Sequence, residues 1–331
     1  MRKTLFIALI AVIGTAGCKD SFDMGGLHEE AKLVVNCFPT VEDTTWIEVT
    51  HSIPVSNGSE KNQWDDFLEV RDAQVIYKVN GEQRTVGWKD RVYDKWNVPR
   101  VQARYYVTGS HQTGDRVEVE VSAPGYASVR AETVVGEAVP VVLQSIVKTK
   151  VYDDDWGGSR DVYQLTATFT DPAQTDDYYA VRVRCKHYKG PQLDSLYSHP
   201  AILTMSEPLL QPLSDIDENF GFDSDYYQNF YIFSDNDIQG QTYTLHLNLS
   251  PYHVQSPLDS YNFRPVQYQV QLYHLTRELY RYAKSINDID NNGLAKVGFS
   301  MIQPTYSNVR GGIGVVSAYN VSESGWMQRK E

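Results

Sequence analysis

The chain has 331 residues, 41% hydrophobic and 22% charged, with a formal net charge of −12. That composition is globular, and the acidic balance argues against nucleic acid or an anionic lipid surface as partner, since either would repel it. Tyrosine is over-used, at 23 residues, which points first to strands, because aromatic and β-branched residues suit a half-buried pleated surface.

Arg2 and Lys3 open the chain with positive charge, and Leu5 to Ala16 follow without any. A stretch of about a dozen apolar residues has the length of a signal h-region and is too short to cross a bilayer. It ends in Thr15-Ala16-Gly17-Cys18. Small residues directly before a cysteine fit the cleft of the lipoprotein signal peptidase, and only a thiol there takes a thioether-linked diacylglycerol. Residues 1–17 therefore read as a lipoprotein signal peptide and Cys18 as the lipidated residue, with acyl chains such as palmitate. Thr15 departs from the usual branched apolar residue, and an ordinary signal peptide with an incidental cysteine is the alternative. Each buried CH₂ contributes about 0.8 kcal/mol, so two or three chains anchor stably. Nothing downstream offers ~18 consecutive apolar residues, so the expectation is a soluble body on a lipid tether, with enough chain for about two domains.

Residues 18–30 read as that tether. Lys19-Asp20, with Asp23 soon after, resembles acidic export signals of surface lipoproteins, but leaves open whether the surface or the periplasmic face is occupied. From residue 31 the pattern is β. Lys32 to Phe38 is a short apolar run, and Trp46, Glu48 and Thr50 alternate with Ile47, Val49 and His51. Ala73 to Val79 is a strand closed by Asn80-Gly81, the strongest short hairpin signal, and Arg84 to Trp88 would return. Val117, Val119 and Val121 alternate with Arg116, Glu118 and Glu120, giving one buried and one wet face. Pro124-Gly125-Tyr126 turns the chain, and Val129 to Val135 returns. Residues 31–137 thus read as an immunoglobulin-like or transthyretin-like sandwich. Residues 138–331 read as a larger β-sandwich with one packed helix. Its strands are Val141 to Val151, Val162 to Phe169, Tyr178 to Cys185, Tyr231 to Phe233, Thr242 to Leu249, Val266 to Leu275, Lys296 to Ile302 and Gly314 to Asn320. The helix runs Arg277 to Ile286, with Thr276 as N-cap, Glu278 in the first turn, and Leu279, Tyr282, Ala283 and Ile286 on one face. The fold class is all-β, two sandwiches.

Apart from Cys18 there are two cysteines, Cys37 and Cys185. Two buried thiols are the expectation, and a Cys37–Cys185 disulfide is the alternative that an exported location permits. No Gly-x-Ser-x-Gly elbow or His-Glu-x-x-His motif occurs, and the eight histidines are scattered, so no catalytic residue is assigned. Paired carboxylates, Asp176-Asp177 among them, read as solvated turn residues. Asp288, Asp290 and Asn292, followed by Gly293, match the first half of a calcium loop, but Phe299 stands where the bidentate Glu belongs. Helix capping and turns use the same residues without metal. The expectation is no cofactor beyond the lipid, with calcium as the alternative. Asp235-Asn236-Asp237 is a weaker match. Tyr226, Tyr227 and Tyr231 beside a long polar loop, and Trp156 beside Gly157-Gly158, are candidates for an aromatic platform that binds a sugar or peptide. Packing at the sandwich edges is the alternative.

Several local patterns occur in a particular order: Lys32-Leu33-Val34-Val35-Asn36, Ala123-Pro124-Gly125-Tyr126, Asp171-Pro172 before Tyr178-Tyr179, Phe233-Ser234-Asp235 before Gly240, Leu279-Tyr280-Arg281-Tyr282, and Tyr306 to Gly314. Behind a lipoprotein signal, this order resembles the Bacteroidota lipoproteins grouped as domain of unknown function 4249 (DUF4249). Cys37 stands where glycine is common, and Val315-Val316 replaces an apolar-aromatic pair. The resemblance implies an outer-membrane lipoprotein, often encoded beside TonB-dependent receptors, and brings no catalytic residues. The functional expectation is a non-catalytic binding or accessory module partnering such a receptor in nutrient capture, with a glycan, peptide or small molecule as ligand. A structural or adhesive surface protein and a hydrolase with an unrecognised site are the alternatives.

Overall fold

The computed structural model describes residues 30–53, 68–93, 99–153, 158–189, 194–204, 207–210, 226–250, 267–291 and 305–328. Its strands are, in the first part of the chain, β1 (Leu33–Cys37), β2 (Thr44–His51), β3 (Gln74–Val79), β4 (Glu82–Arg84), β5 (Val86–Lys89), β6 (Val92–Tyr93), β7 (Pro99–Val101), β8 (Arg104–Thr108), β9 (Arg116–Ser122) and β10 (Val129–Val134). There follow β11 (Val141–Asp153), β12 (Gly158–Thr170), β13 (Tyr178–Lys189), β14 (Asp194–Ser198), β15 (Ile202–Leu203), β16 (Tyr231–Ser234), β17 (Thr242–Leu249) and β18 (Gln267–Leu275). Helix α1 (Arg277–Asn291), β19 (Ile313–Val316), β20 (Tyr319–Glu323) and β21 (Met327–Gln328) complete the order. This architecture lies within residues 32–51 and 69–331, one of the two compact units into which the chain divides.

The protein is mainly β, as its sequence predicts. One core lies between the sheets β19-β1-β2-β8-β5 and β10-β9-β3-β4. Alternation decides which residues fill it: Val117, Val119 and Val121 are buried on β9, while Arg116 and Glu120 are exposed, the period of a half-buried strand. A second core lies between β11-β12-β17-β15 and the sheet built on β14-β13-β18-β20, where β16 also pairs with β13 and β21 with β18.

The Asn80-Gly81 hairpin forms, with both residues at positive φ (52° and 84°), as this two-residue turn requires. The expected single return strand is divided, however. β4 pairs with β3, whereas β5 pairs with β8 in the opposite sheet, so the chain changes sheets at Thr85. The stretch expected as one strand from Gly314 to Asn320 is likewise divided. β19 runs parallel to β1 in the first sandwich, and β20 pairs with β18 in the second. Val309, Val316 and Ala318 thus belong to the first core, although they lie in the region read as the second domain.

Glycine makes that return feasible. Gly314 has φ +111°, and a Cβ there would overlap the backbone of Val35, coming within 2.8 Å of its carbonyl carbon. A Cβ on Gly312 would stand 2.5 Å from the Leu33 carbonyl oxygen and 2.7 Å from Val129 Cγ1. The Gly311-Gly312-Ile313-Gly314 run is therefore a close-approach segment, fitted against β1 and β10.

Helix α1 starts as expected: Leu279 N–H donates to Thr276 Oγ1 at 3.4 Å, with Glu278 in the first turn, so the cap satisfies one orphan donor. Leu279, Tyr280, Tyr282 and Ala283 pack on the second core. The helix continues to Asn291, beyond the expected end at Ile286. Lys284 and Asp288, one turn apart, are joined at 3.0 Å, which supports the added turn.

Candidate functional site

Cys18, Trp156 and Asn292 lie outside the described residues, as do the side chains of Tyr227 and Asp290. The other predicted site residues have internal roles. Tyr226 and Tyr231 are buried, with ring centroids 4.8 Å apart. Tyr226 donates its hydroxyl proton to the Leu210 carbonyl at 3.2 Å, and the Tyr231 hydroxyl accepts from Ile202 N–H at 2.7 Å. They tie the segment around Ile202 and Leu210 to the sandwich and do not form an open platform, because a buried phenol needs a partner and these partners are backbone groups. Asp288 is a helical residue whose two oxygens accept from Lys284 Nζ at 3.0 and 3.1 Å. The sequence resembling a calcium loop begins inside α1, where the backbone has helical geometry rather than that of an ion-binding loop. Cys37 and Cys185 are free thiols buried in the first and second core respectively. No bridge joins them, and burial pushes Cys185 up to about 12 and Cys37 higher still, which suppresses the reactive thiolate.

An aromatic and cationic face does exist, on other residues. On β13, Val183 and Cys185 point into the core, so Arg184 and Lys186 share the opposite face. Tyr197 on β14 is the cross-strand partner of Lys186. Trp326, just before β21, approaches from the other side, 5.9 Å from the Tyr197 ring. The Arg184 guanidinium lies 4.1 Å from the Tyr197 ring centre and 5.8 Å from that of Trp326, and Lys186 Nζ lies 6.0 and 5.8 Å from the same two rings. These are cation–π distances. Glu323 adds an acceptor, 3.7 Å from Arg184. Tyr197 is 44% exposed, so this face combines accessible ring, two cations and a carboxylate. The alternation of basic residues on β13 was visible in the sequence, whereas the approach of Trp326 depends on the β18–β21 pairing.

A cleft of about 490 Å³ lies where β9 and β10 meet the start of α1 and the segment before β19. Arg116, Arg130 and Arg310 line it together with Glu132 and Glu278. Arg116 pairs with Glu132 at 2.5 Å and with Glu118 at 3.7 Å. These are exposed ion pairs, each contributing little to stability.

The third feature is buried. Thr170 ends β12, and Asp171 begins a turn that returns at Asp177 into β13, while Asp235 begins the turn between β16 and β17. Asp171 N–H donates to the Gln241 carbonyl, and Asp235 N–H donates to the Asp177 carbonyl, so backbone bonds draw the two turns together. Asp171, Asp177 and Asp235 are each at most 7% exposed, and one oxygen from each lies within 4.8 Å of the other two. Asp171 accepts from the Tyr179 hydroxyl at 2.5 Å and from Gly240 N–H at 2.8 Å. Asp177 accepts from Thr175 Oγ1 at 2.5 Å, and its other oxygen lies 2.7 Å from His274 Nε2. His274 Nδ1 is 2.7 Å from the Glu137 carbonyl oxygen. Oδ2 of Asp235 is buried without a hydrogen-bond partner. Burial pushes the Asp235 carboxyl up against the opposing pull of backbone hydrogen bonds, and the neighbouring Asp171 and Asp177 charges add to the rise. Burial, then the bond to Asp171, raises the Tyr179 hydroxyl, which keeps it a proton donor. The sequence marked Asp171 and Asp177 only as turn residues, and Asp235 as the start of a weak match to a calcium loop.

Fold and faces together define a two-sandwich all-β protein with an aromatic and cationic sheet face and a buried carboxylate cluster. The chain belongs to the family described as domain of unknown function (DUF4249), whose model matches residues 20–324. No curated protein matches it.

Proposed function

We propose that this protein is an outer-membrane lipoprotein, held by acyl chains on Cys18, and that it acts as a non-catalytic binding and accessory module beside a TonB-dependent receptor in nutrient capture. The observation that carries the binding role is the Tyr197, Trp326, Arg184 and Lys186 face. Exposed ring surface stacks on the apolar faces of sugars or peptide side chains, and the flanking cations and Glu323 supply hydrogen bonds that orient such a ligand. The membrane anchor is supported by the charged start, the short apolar run and Thr15-Ala16-Gly17-Cys18. The receptor partnership is supported by family membership.

Gentle solubilisation followed by pull-down on this protein is expected to bring a β-barrel receptor with it. Cys18→Ser is expected to move the protein from the membrane fraction to the soluble fraction. A ligand of the face raises the melting temperature of the wild-type protein but leaves that of Trp326→Ala with Arg184→Ala unchanged. If glycans and peptides across a broad panel leave the wild type unmoved and no receptor co-purifies, the binding role is refuted. Retention of Cys18→Ser in the membrane refutes the anchor.

A further inference from the structure

The carboxylate cluster at the end of the second sandwich has a chemistry that neither the aromatic face nor the anchor uses. Three aspartates from two turns and a strand start bring one oxygen each within 4.8 Å of the others. Like charges this close are unfavourable together when buried, since each raises the cost of ionising the next. Among the described residues, no Lys or Arg forms an ion pair with any of them, and His274 beside Asp177 is the one basic side chain bonded to the cluster. Up to three negative charges thus face at most one positive charge. Both oxygens of Asp171 and both of Asp177 accept protein hydrogen bonds or face His274, and these bonds fix the orientation of the two side chains. The Asp235 side chain is different. It is 97% buried by its 3% exposure, and its Oδ2 has no hydrogen-bond partner. A buried carboxylate oxygen without a donor pays its full desolvation cost, and native proteins satisfy such atoms with water, a proton or an ion.

We propose that Asp171, Asp177 and Asp235 form a binding site for a hard divalent cation of the calcium class, which bridges the turn 171–177 to the turn that begins at Asp235. The donor set selects the ion class. All three side chains offer carboxylate oxygen, there is no thiolate, and the neighbouring imidazole is already turned to Asp177 and Glu137, so zinc and copper lack the nitrogen and sulfur ligands they favour. Rigidity narrows it further: calcium accepts irregular oxygen sites at about 2.3–2.6 Å, whereas magnesium at about 2.1 Å demands near-ideal octahedral geometry and gives up its water reluctantly. Each carboxylate oxygen has a second lone pair, so Asp171 and Asp177 can keep their hydrogen bonds while coordinating. The ion would provide the partner that Asp235 Oδ2 lacks, and it would lock two turns that otherwise rest on backbone bonds such as Asp235 N–H to the Asp177 carbonyl. This site is distinct from the half-matched calcium loop after α1, whose Asp288 is paired with Lys284.

The test uses the full chain, stripped with EDTA and then titrated with CaCl₂, MgCl₂ or ZnCl₂. Calcium at about 100 times its dissociation constant is expected to raise the melting temperature by roughly 5 °C, and Tb³⁺, a calcium stand-in, is expected to luminesce when nearby Tyr179 is excited. Asp235→Asn keeps the side-chain shape and removes one charge. It is expected to fold, to melt no lower than the wild type in EDTA, and to lose at least tenfold in calcium affinity. Asp171→Asn gives the same loss through a second position, and Asp288→Asn leaves the calcium response intact. The proposal is overturned if calcium leaves both melting and Tb³⁺ luminescence unchanged, which would mean that the cluster holds only a proton. A response to zinc in place of calcium, or a calcium response that survives in both Asp235→Asn and Asp171→Asn, also overturns it.

Discussion

Replacing Gly314 by alanine tests how the C-terminal segment joins the first sandwich. Gly314 sits on β19 with φ +111° and is the register partner of Val35 on β1. An added Cβ meets backbone rather than a movable side chain: it would overlap the Val35 carbonyl group and come within 2.9 Å of Val35 N. Two costs add. Holding an L-residue in that backbone region costs about 1–3 kcal/mol, and forcing a methyl into a filled site costs about 1–3 kcal/mol more. The midpoint is about 4 kcal/mol, a large share of the 5–15 kcal/mol that typically holds a domain. At roughly 2 °C per kcal/mol for a chain of this size, the melting temperature should fall by about 8 °C. The assay is urea denaturation of Gly314→Ala against wild type, with Gly325→Ala as control, since a Cβ at Gly325 meets nothing within 4 Å. The control should stay within about 0.5 kcal/mol. If Gly314→Ala is no more destabilised than the control, β19 does not approach β1 as described, and the argument for the glycine run fails.

Thr276→Ala removes the acceptor for Leu279 N–H and should destabilise by about 1 kcal/mol in the same assay, with Thr276→Ser restoring most of it. His111 is buried, with Nε2 2.8 Å from the Tyr77 hydroxyl and Nδ1 2.9 Å from the Thr40 carbonyl oxygen. Burial holds its pKa below the ordinary 6.5, so as the pH falls the unfolded chain takes the proton first. Stability from this residue is therefore complete above about pH 6.5 and declines below it until the lower folded pKa is reached, with a slope of at most about 1.4 kcal/mol per pH unit. His111→Gln keeps a donor for Thr40 and an acceptor for Tyr77 without titrating. Denaturation between pH 7.5 and 5.5 should show a shallower decline in that variant, with the remainder owed partly to His199, also held low by burial.

Local signals read well where one strand has one job. Thr242–Leu249 has the expected bounds, and β9 buries the three valines that its alternation singled out. The misreadings share a cause. Arg84 to Trp88 and Gly314 to Asn320 each look like one strand because the chain is extended throughout, yet each serves two sheets. Sequence periodicity reports that a residue is extended and half-buried, but not which sheet receives its hydrogen bonds. β8 escaped notice although Tyr105 and Val107 are buried, because only two core positions mark it. Of the two readings of Tyr226 and Tyr231, packing is the one that holds, since both are buried and their hydroxyls close that region onto the core.

The candidate sites differ in how far sequence could reach them. Arg184 and Lys186 lie two apart on one strand, so their shared face follows from period two alone. Asp171 and Asp177 offered no such clue, and Asp235 only a weak one in Asp235-Asn236-Asp237: each opens or closes a turn, which is what aspartate does without any ligand. Their meeting depends on β13 pairing with both β16 and β18, which brings Tyr178 opposite Ser234 on one side and Leu275 on the other. That register sets Asp177 beside Asp235 and next to His274, while Tyr179, one pleat further along, reaches back to Asp171. Two of the local patterns that identified the family, Asp171-Pro172 before Tyr178-Tyr179 and Phe233-Ser234-Asp235 before Gly240, are thus the two halves of a single cluster, in which Gly240 N–H closes on the Asp171 carboxylate. Residues that look like separate punctuation in the chain act together because one central strand carries a neighbour on each edge.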